Sequence, residues 1–209
     1  MYIIYSLLEY VFFRNYGILK AEKGKGVYIM TALNMEYAID NKENLVRYLY
    51  NKLDAPTNLR IQKTLYLLWA FYAGTYGSLD KFDNEDEELE LNAEDYPKEL
   101  FKPAFEAWRY GPVDNDIYSE IKSDEFEKGN DFSIDRVLSE KIKETPSVAN
   151  NISIFLDNLI SQFNGIDDWS LVARTHQDKS WSSKYVEGQN HIPMDQVMIR
   201  EEYFQKLKN

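Results

Sequence analysis

The sequence predicts a mainly α protein: a single compact helical domain with short strands and long polar loops. Three observations predict it. Ile152, Phe155, Leu156, Leu159, Ile160 and Phe163 recur at steps of three and one, which places them on one face of a helix. Ile61, Leu65, Leu68, Trp69 and Tyr72, at steps of four, three, one and three, form another such face earlier in the chain. No internal repeat and no βαβ alternation interrupts the helical reading.

Taken in order, the elements have local causes. A first helix is expected over 35–52, with Leu45, Tyr48, Leu49 and Lys52 at helical spacing. The run Asp54-Ala55-Pro56 breaks it, and Thr57 or Asn58 can cap the helix that follows. Gly74 and Gly77 are expected to close that second helix, and a polar, acidic loop then leads to Pro97 and Pro103. Residues 105–110 hold few turn formers and suit either a short strand or the end of a loop. Gly111-Pro112 stops that element, and Asp114 is a candidate N-cap for a helix over 115–122. The polar stretch 123–135 reads as irregular. Gly165 ends the helix bearing the cleanest stripe. Asp167 or Asp168 caps the next, which bears Trp169, Val172 and Ala173, and a last helix is expected over 195–207.

Composition narrows the function. The chain has 209 residues, long enough for a sizeable core, and 44% of them are hydrophobic, which fits a globular protein. It has no cysteine, so disulfides, thiol catalysis and cysteine-based metal sites are excluded; a reducing cytoplasm is the expected home. The net charge of −11 argues against general nucleic-acid binding, which needs a positive footprint. Part of that acidity lies in Asp83-Asn84-Glu85-Asp86-Glu87-Glu88-Leu89-Glu90. The run reads as a solvated face, or more sharply as a surface that attracts a basic partner or mimics nucleic acid.

The apolar run over 1–13 is too short for a membrane span and lacks the positive start of a signal peptide. Glu22-Lys23-Gly24-Lys25-Gly26 requires purine-rich codons a short spacer before Met30. Residues 1–29 are therefore expected to be translated leader outside the domain, which would occupy 30–209; the rival reading is a short amphipathic helix docked on the domain or on a membrane surface. Peptides from residues 1–20 in the natively expressed protein would refute the leader.

Catalytic patterns are missing. His176 and His191 are the only histidines, and no His-Glu-x-x-His pair, Gly-x-Ser-x-Gly elbow or phosphate loop occurs. No metal, cofactor or catalytic residue is assigned. The tryptophans are the better lead. Trp69 and Trp169 lie on helical stripes and read as core anchors. Trp108 and Trp181, beside turns and the charges Arg109, Lys179 and Lys184, suit an interface equally well.

Four blocks then point to a family. They are Thr57-Asn58-Leu59-Arg60-Ile61-Gln62-Lys63-Thr64-Leu65-Tyr66-Leu67-Leu68 with Thr75-Tyr76-Gly77; Phe105-Glu106-Ala107-Trp108-Arg109-Tyr110-Gly111-Pro112-Val113 with Ile117-Tyr118; Trp169-Ser170-Leu171 with Thr175-His176 and Trp181; and Ile192-Pro193 leading to Tyr203-Phe204. In order and rough spacing they resemble the Panacea domain, the SocA-like antitoxin domain of bacterial toxin–antitoxin loci, phages and prophages. Two departures stand out: Arg174 sits where a threonine or a leucine-like residue is common, and the acidic segment 83–99 is longer than in many relatives.

The resemblance implies an antitoxin in a bacterial cell that neutralises a cognate toxin by direct binding; some relatives instead act as adaptors that deliver the toxin to a host protease. Partner contact is expected at Trp108, Arg109, Tyr110, Gly111, Pro112, His176 and Trp181. The opposing reading makes these motifs structural and moves the partner surface to 78–102 and 123–150. No direct nucleic-acid contact is expected, because no helix-turn-helix fits before Met30. The alternatives are a phage-encoded regulator or anti-defence protein that binds a host enzyme, and an enzyme built on an unrecognised carboxylate site or on His176.

Overall fold

A computed structural model describes residues 36–81, 93–123, 133–189 and 191–208. The leader, the acidic run 83–90 and most of the stretch 123–135 lie outside the described residues. The first described segment is not helical. Ala38 and Ile39 donate backbone hydrogen bonds to the carbonyls of Glu99 (3.2 Å) and Leu100 (2.8 Å), so the chain runs extended there. Helix α1 (Lys42–Lys52) therefore begins later than the expected 35–52, where the Asn41 side chain accepts from Asn44 N–H.

Helix α2 (Asn58–Thr75) is the centre of the molecule. Thr57 caps it by accepting from Arg60 N–H at 3.1 Å. Its burial corrects the one-sided stripe read from the sequence: every residue from Arg60 to Thr75 is buried, because other elements pack on all of its faces. Gly74 does not close the helix. A Cβ there would come within 2.8–2.9 Å of Tyr203 and Phe204, so glycine lets the last helix pack directly on α2. The chain then tightens into a 3-10 turn over Tyr76–Lys81.

Strands β1 (Phe105–Trp108) and β2 (Gly111–Asp114) form an antiparallel hairpin in which Phe105 faces Asp114 and Trp108 faces Gly111. The alternative left open for 105–110 is thus resolved as a strand. Asp114 caps α3 (Asn115–Lys122) by accepting from Ile117 N–H. A single turn, α4 (Glu140–Lys143), precedes α5 (Pro146–Asn164), whose buried face carries the whole expected stripe from Ile152 to Phe163. Asp167 caps α6 (Asp168–Thr175). A second single turn, α7 (Lys179–Ser182), leads to α8 (Gln196–Lys208), which begins and ends one residue later than expected. The described residues are thus mainly helical, with one two-stranded sheet.

The core is continuous across α1, α2, α5, α8 and the hairpin. Trp69 anchors it as expected, fully buried, with its indole N–H donating to the Phe101 carbonyl at 3.0 Å. Trp169 does not: it is 61% exposed. Helix α6 turns Leu171, Val172, Arg174 and Thr175 inward, and its first turn leaves position 169 facing outward. Among the described residues, no helix is long and apolar enough to cross a membrane.

Candidate functional site

The hairpin turns in two residues, Arg109 and Tyr110, and Gly111 accepts the backbone geometry this needs at φ +91°. That glycine is also enclosed: a Cβ would lie 2.5 Å from Thr175 Oγ1 and 3.3 Å from Lys63 Nζ. The next carbonyl, Pro112 O, accepts from Lys63 Nζ at 2.6 Å. Gln62 pairs with the same strand, accepting from Asp114 N–H at 2.8 Å. The first family block thus grips the second through consecutive side chains of α2.

Asp114 locks the far end of β2. Its buried carboxylate accepts from Lys42 Nζ (2.8 Å), Ala104 N–H (3.0 Å) and Ile117 N–H (3.2 Å). Burial opposes charge on Lys42, but Asp114 and Asp116 outweigh it and hold the ammonium above its usual range.

Lys63 has no such carboxylate. It is fully buried, and desolvation pushes it down to about 7. An unfolded lysine keeps its proton to about 10.5, so between those values the folded state binds fewer protons and stability climbs with pH. The expected rise between pH 7.5 and 9.5 is at most about 1.4 kcal/mol per pH unit. Buried Tyr66, Tyr72 and Tyr203 have raised values, so their opposing slope sets in as unfolded tyrosines ionise near 10, at the upper edge of this window. Urea unfolding at the two pH values should show the climb in wild type and its loss in Lys63→Met; an equal climb in both would refute the assignment to Lys63.

The third family block braces the other strand. The Trp181 indole N–H donates to the Trp108 carbonyl at 3.0 Å. His176 stacks on Trp181 with centroids 4.0 Å apart and planes 4° from parallel, and Tyr185 covers the opposite face at 5.0 Å. Burial and the nearby Lys63 charge hold His176 below its usual range, against a hydrogen bond with the Arg109 backbone. It is therefore a neutral, packed ring. Trp108 is half-buried; its N–H donates to Glu106 Oε2 at 2.8 Å, its ring packs on Tyr118, and His191 meets it edge-on. Ala107 N–H donates to Ile192 O, and Met194 N–H to Phe105 O. The fourth block thereby lies along the open edge of β1.

The structure brings all seven sequence-predicted site residues into this one assembly, but in two environments. Gly111, Pro112 and Trp181 are buried, and Trp108 and His176 are partly so. Arg109 and Tyr110 project from the turn into solvent, Tyr110 at 45% exposure. Sequence reasoning missed the polar framework beneath. Asp178, fully buried, accepts from Tyr66 and Tyr203 hydroxyls (2.8 Å each), Arg174 Nη1 (2.6 Å) and Lys206 Nζ (2.6 Å). Arg174, which departs from the family pattern, is one arm of this hub. Glu202 accepts from Lys179 and Ser180 N–H and so closes the start of α7. No spacing flags Asp178, since its partners come from three different helices.

Among the described residues no cluster of acidic or histidine side chains could hold a metal ion. What the arrangement defines is a helical domain built around a braced hairpin, with a rigid turn presented outward. Residues 90–182 match the family model described as antitoxin SocA-like, Panacea domain. The resemblance read from the motifs is thereby borne out over the hairpin and the α6–α7 segment. The first and fourth blocks lie outside the matched stretch, although the Lys63–Pro112 and Ala107–Ile192 bonds tie them to it. Neither a curated protein nor a solved structure matches the chain.

Proposed function

We propose that this chain is an antitoxin that neutralises a cognate toxin in the bacterial cytoplasm by direct protein–protein contact. The contact region is the hairpin assembly of Trp108, Arg109, Tyr110, Gly111, Pro112, His176 and Trp181. The observation that carries the reading is the antitoxin-family match across this assembly. Its construction supports the same conclusion: the inner members fix the turn, and the outer members are Arg and Tyr, residue types enriched where binding energy concentrates. In this reading the chain is not an enzyme.

The test is co-expression of the full chain with the product of the adjacent reading frame in a sensitive host. The expected result is growth arrest by that product alone, rescue by this chain, and co-purification of the two. Rescue that disappears in a host lacking a particular protease assigns the adaptor role instead. Toxicity without rescue, or no toxicity, refutes the antitoxin reading and favours a regulator that binds a host enzyme.

A further inference from the structure

Trp169 is out of place for a tryptophan that lies on a helix of a well-packed domain. Its ring meets the Tyr110 ring edge-on at 5.5 Å, and the Arg109 guanidinium lies 5.5 Å from the centre of that same Tyr110 ring. Two sequence-distant elements, the hairpin turn and the first turn of α6, thus set an Arg, a Tyr and a Trp side by side in solvent. Among the described residues the Tyr110 hydroxyl, the Trp169 indole N–H and the Arg109 guanidinium have no hydrogen-bond or ion-pair partner.

The backbone under these open side chains is held firmly. Asp167 accepts from the N–H groups of Trp169 and Ser170 at 3.0 Å each. Asp168 accepts from Arg60 Nε (2.7 Å) and Thr57 Oγ1 (2.6 Å), pinning α6 to the start of α2. The turn itself is fixed by Gly111 against Thr175 and Lys63. Anchors on a pre-set frame lose little conformational entropy when a partner closes over them.

Charge selects the partner. Asp167 is engaged in capping and Asp168 with Arg60, so Arg109 is the charge on this face left without a counter-charge among the described residues. We infer that Arg109, Tyr110 and Trp169 form a docking face for a segment of the toxin protein that presents a carboxylate to Arg109 and an aliphatic side chain to the two rings. A guanidinium takes a carboxylate through two parallel hydrogen bonds, and the edge-to-face ring pair offers apolar area for the neighbouring side chain. The inference rests on the antitoxin reading and adds Trp169 and the partner's chemistry to it. Aromatics beside an arginine can also stack nucleic-acid bases, but a chain of net charge −11 repels a phosphate backbone.

The test titrates the full chain with the purified adjacent-frame product, and separately with a single-stranded 20-mer oligonucleotide. Trp169→Ala and Arg109→Glu are each expected to weaken binding of the protein probe by at least about 30-fold. Val197→Ala, another exposed position, should leave it unchanged, and all three variants should melt within a few degrees of wild type. Wild-type binding that both variants retain within threefold overturns the docking face while leaving the antitoxin reading intact. No wild-type binding overturns that reading and the face together. Oligonucleotide binding that Trp169→Ala abolishes overturns the inference in favour of a nucleic-acid surface.

Discussion

Asp178→Ala is expected to cost about 3–5 kcal/mol, the range for breaking a buried ion pair by removing one partner. The reason is the number of groups that lose their acceptor together. Arg174 would lose its carboxylate while buried, Lys206 would keep only Glu202, and the Tyr66 and Tyr203 hydroxyls would lose their bonds to the carboxylate inside the core. The damage spreads because the four partners belong to α2, α6 and α8. Asp178→Asn should fall between the two, since it keeps an acceptor oxygen but not the charge. Denaturant unfolding of the three proteins checks the order. A loss below about 1 kcal/mol for the alanine variant would mean that the hub is not a structural centre.

Gly111→Ala is expected to destabilise by about 2–4 kcal/mol through two separable causes. The backbone at φ +91° is strained for any residue with a side chain, by about 1–3 kcal/mol. The added methyl also meets Thr175 Oγ1 at 2.5 Å, and Thr175 is itself held by its hydroxyl donating to Val172 O. Adding Thr175→Ala should recover the steric part and leave the backbone part, so the double variant should be more stable than the sum of its singles. Strict additivity would show that the clash is relieved by backbone movement. A stability within about 0.5 kcal/mol of wild type for Gly111→Ala alone would refute both causes.

These sites also show how far the sequence could be read. Elements with local causes were legible: the α5 stripe, the Thr57, Asp114 and Asp167 caps, and the Gly111-Pro112 break. Misreadings came where tertiary packing overrides periodicity. Helix α2 shows a stripe but is buried on every face, since its polar members Gln62 and Lys63 are satisfied by the hairpin backbone. The start of α1 moved because residues 38–39 pair with 99–100, a contact that no window along the chain contains. Trp169 faces out together with Ala173, because the inward face of α6 is Leu171, Val172, Arg174 and Thr175 and not the expected 169, 172 and 173. The turns and charges beside Trp108 and Trp181 suit interface and core equally; Trp181 is buried as a brace, and Trp108 is half-buried between Glu106, Tyr118 and His191. Asp178 was invisible because its meaning depends on Tyr66, Arg174, Tyr203 and Lys206 arriving from afar.

The all-round burial of α2 has a consequence for synthesis. Its apolar faces are covered in large part by α8, with Phe71 and Tyr66 packed edge-on against Tyr203 and Gly74 seated on the Tyr203–Phe204 backbone. A ribosome makes α2 well before α8. At roughly 5–20 residues per second, the chain between Thr75 and Gln196 takes on the order of ten seconds to emerge. Throughout that interval a helix buried on every face in the finished fold lacks part of its cover. The same ordering means that the hairpin, gripped by Lys63 of α2, is not firmly set until translation has passed residue 206 and Asp178 has received its last partner.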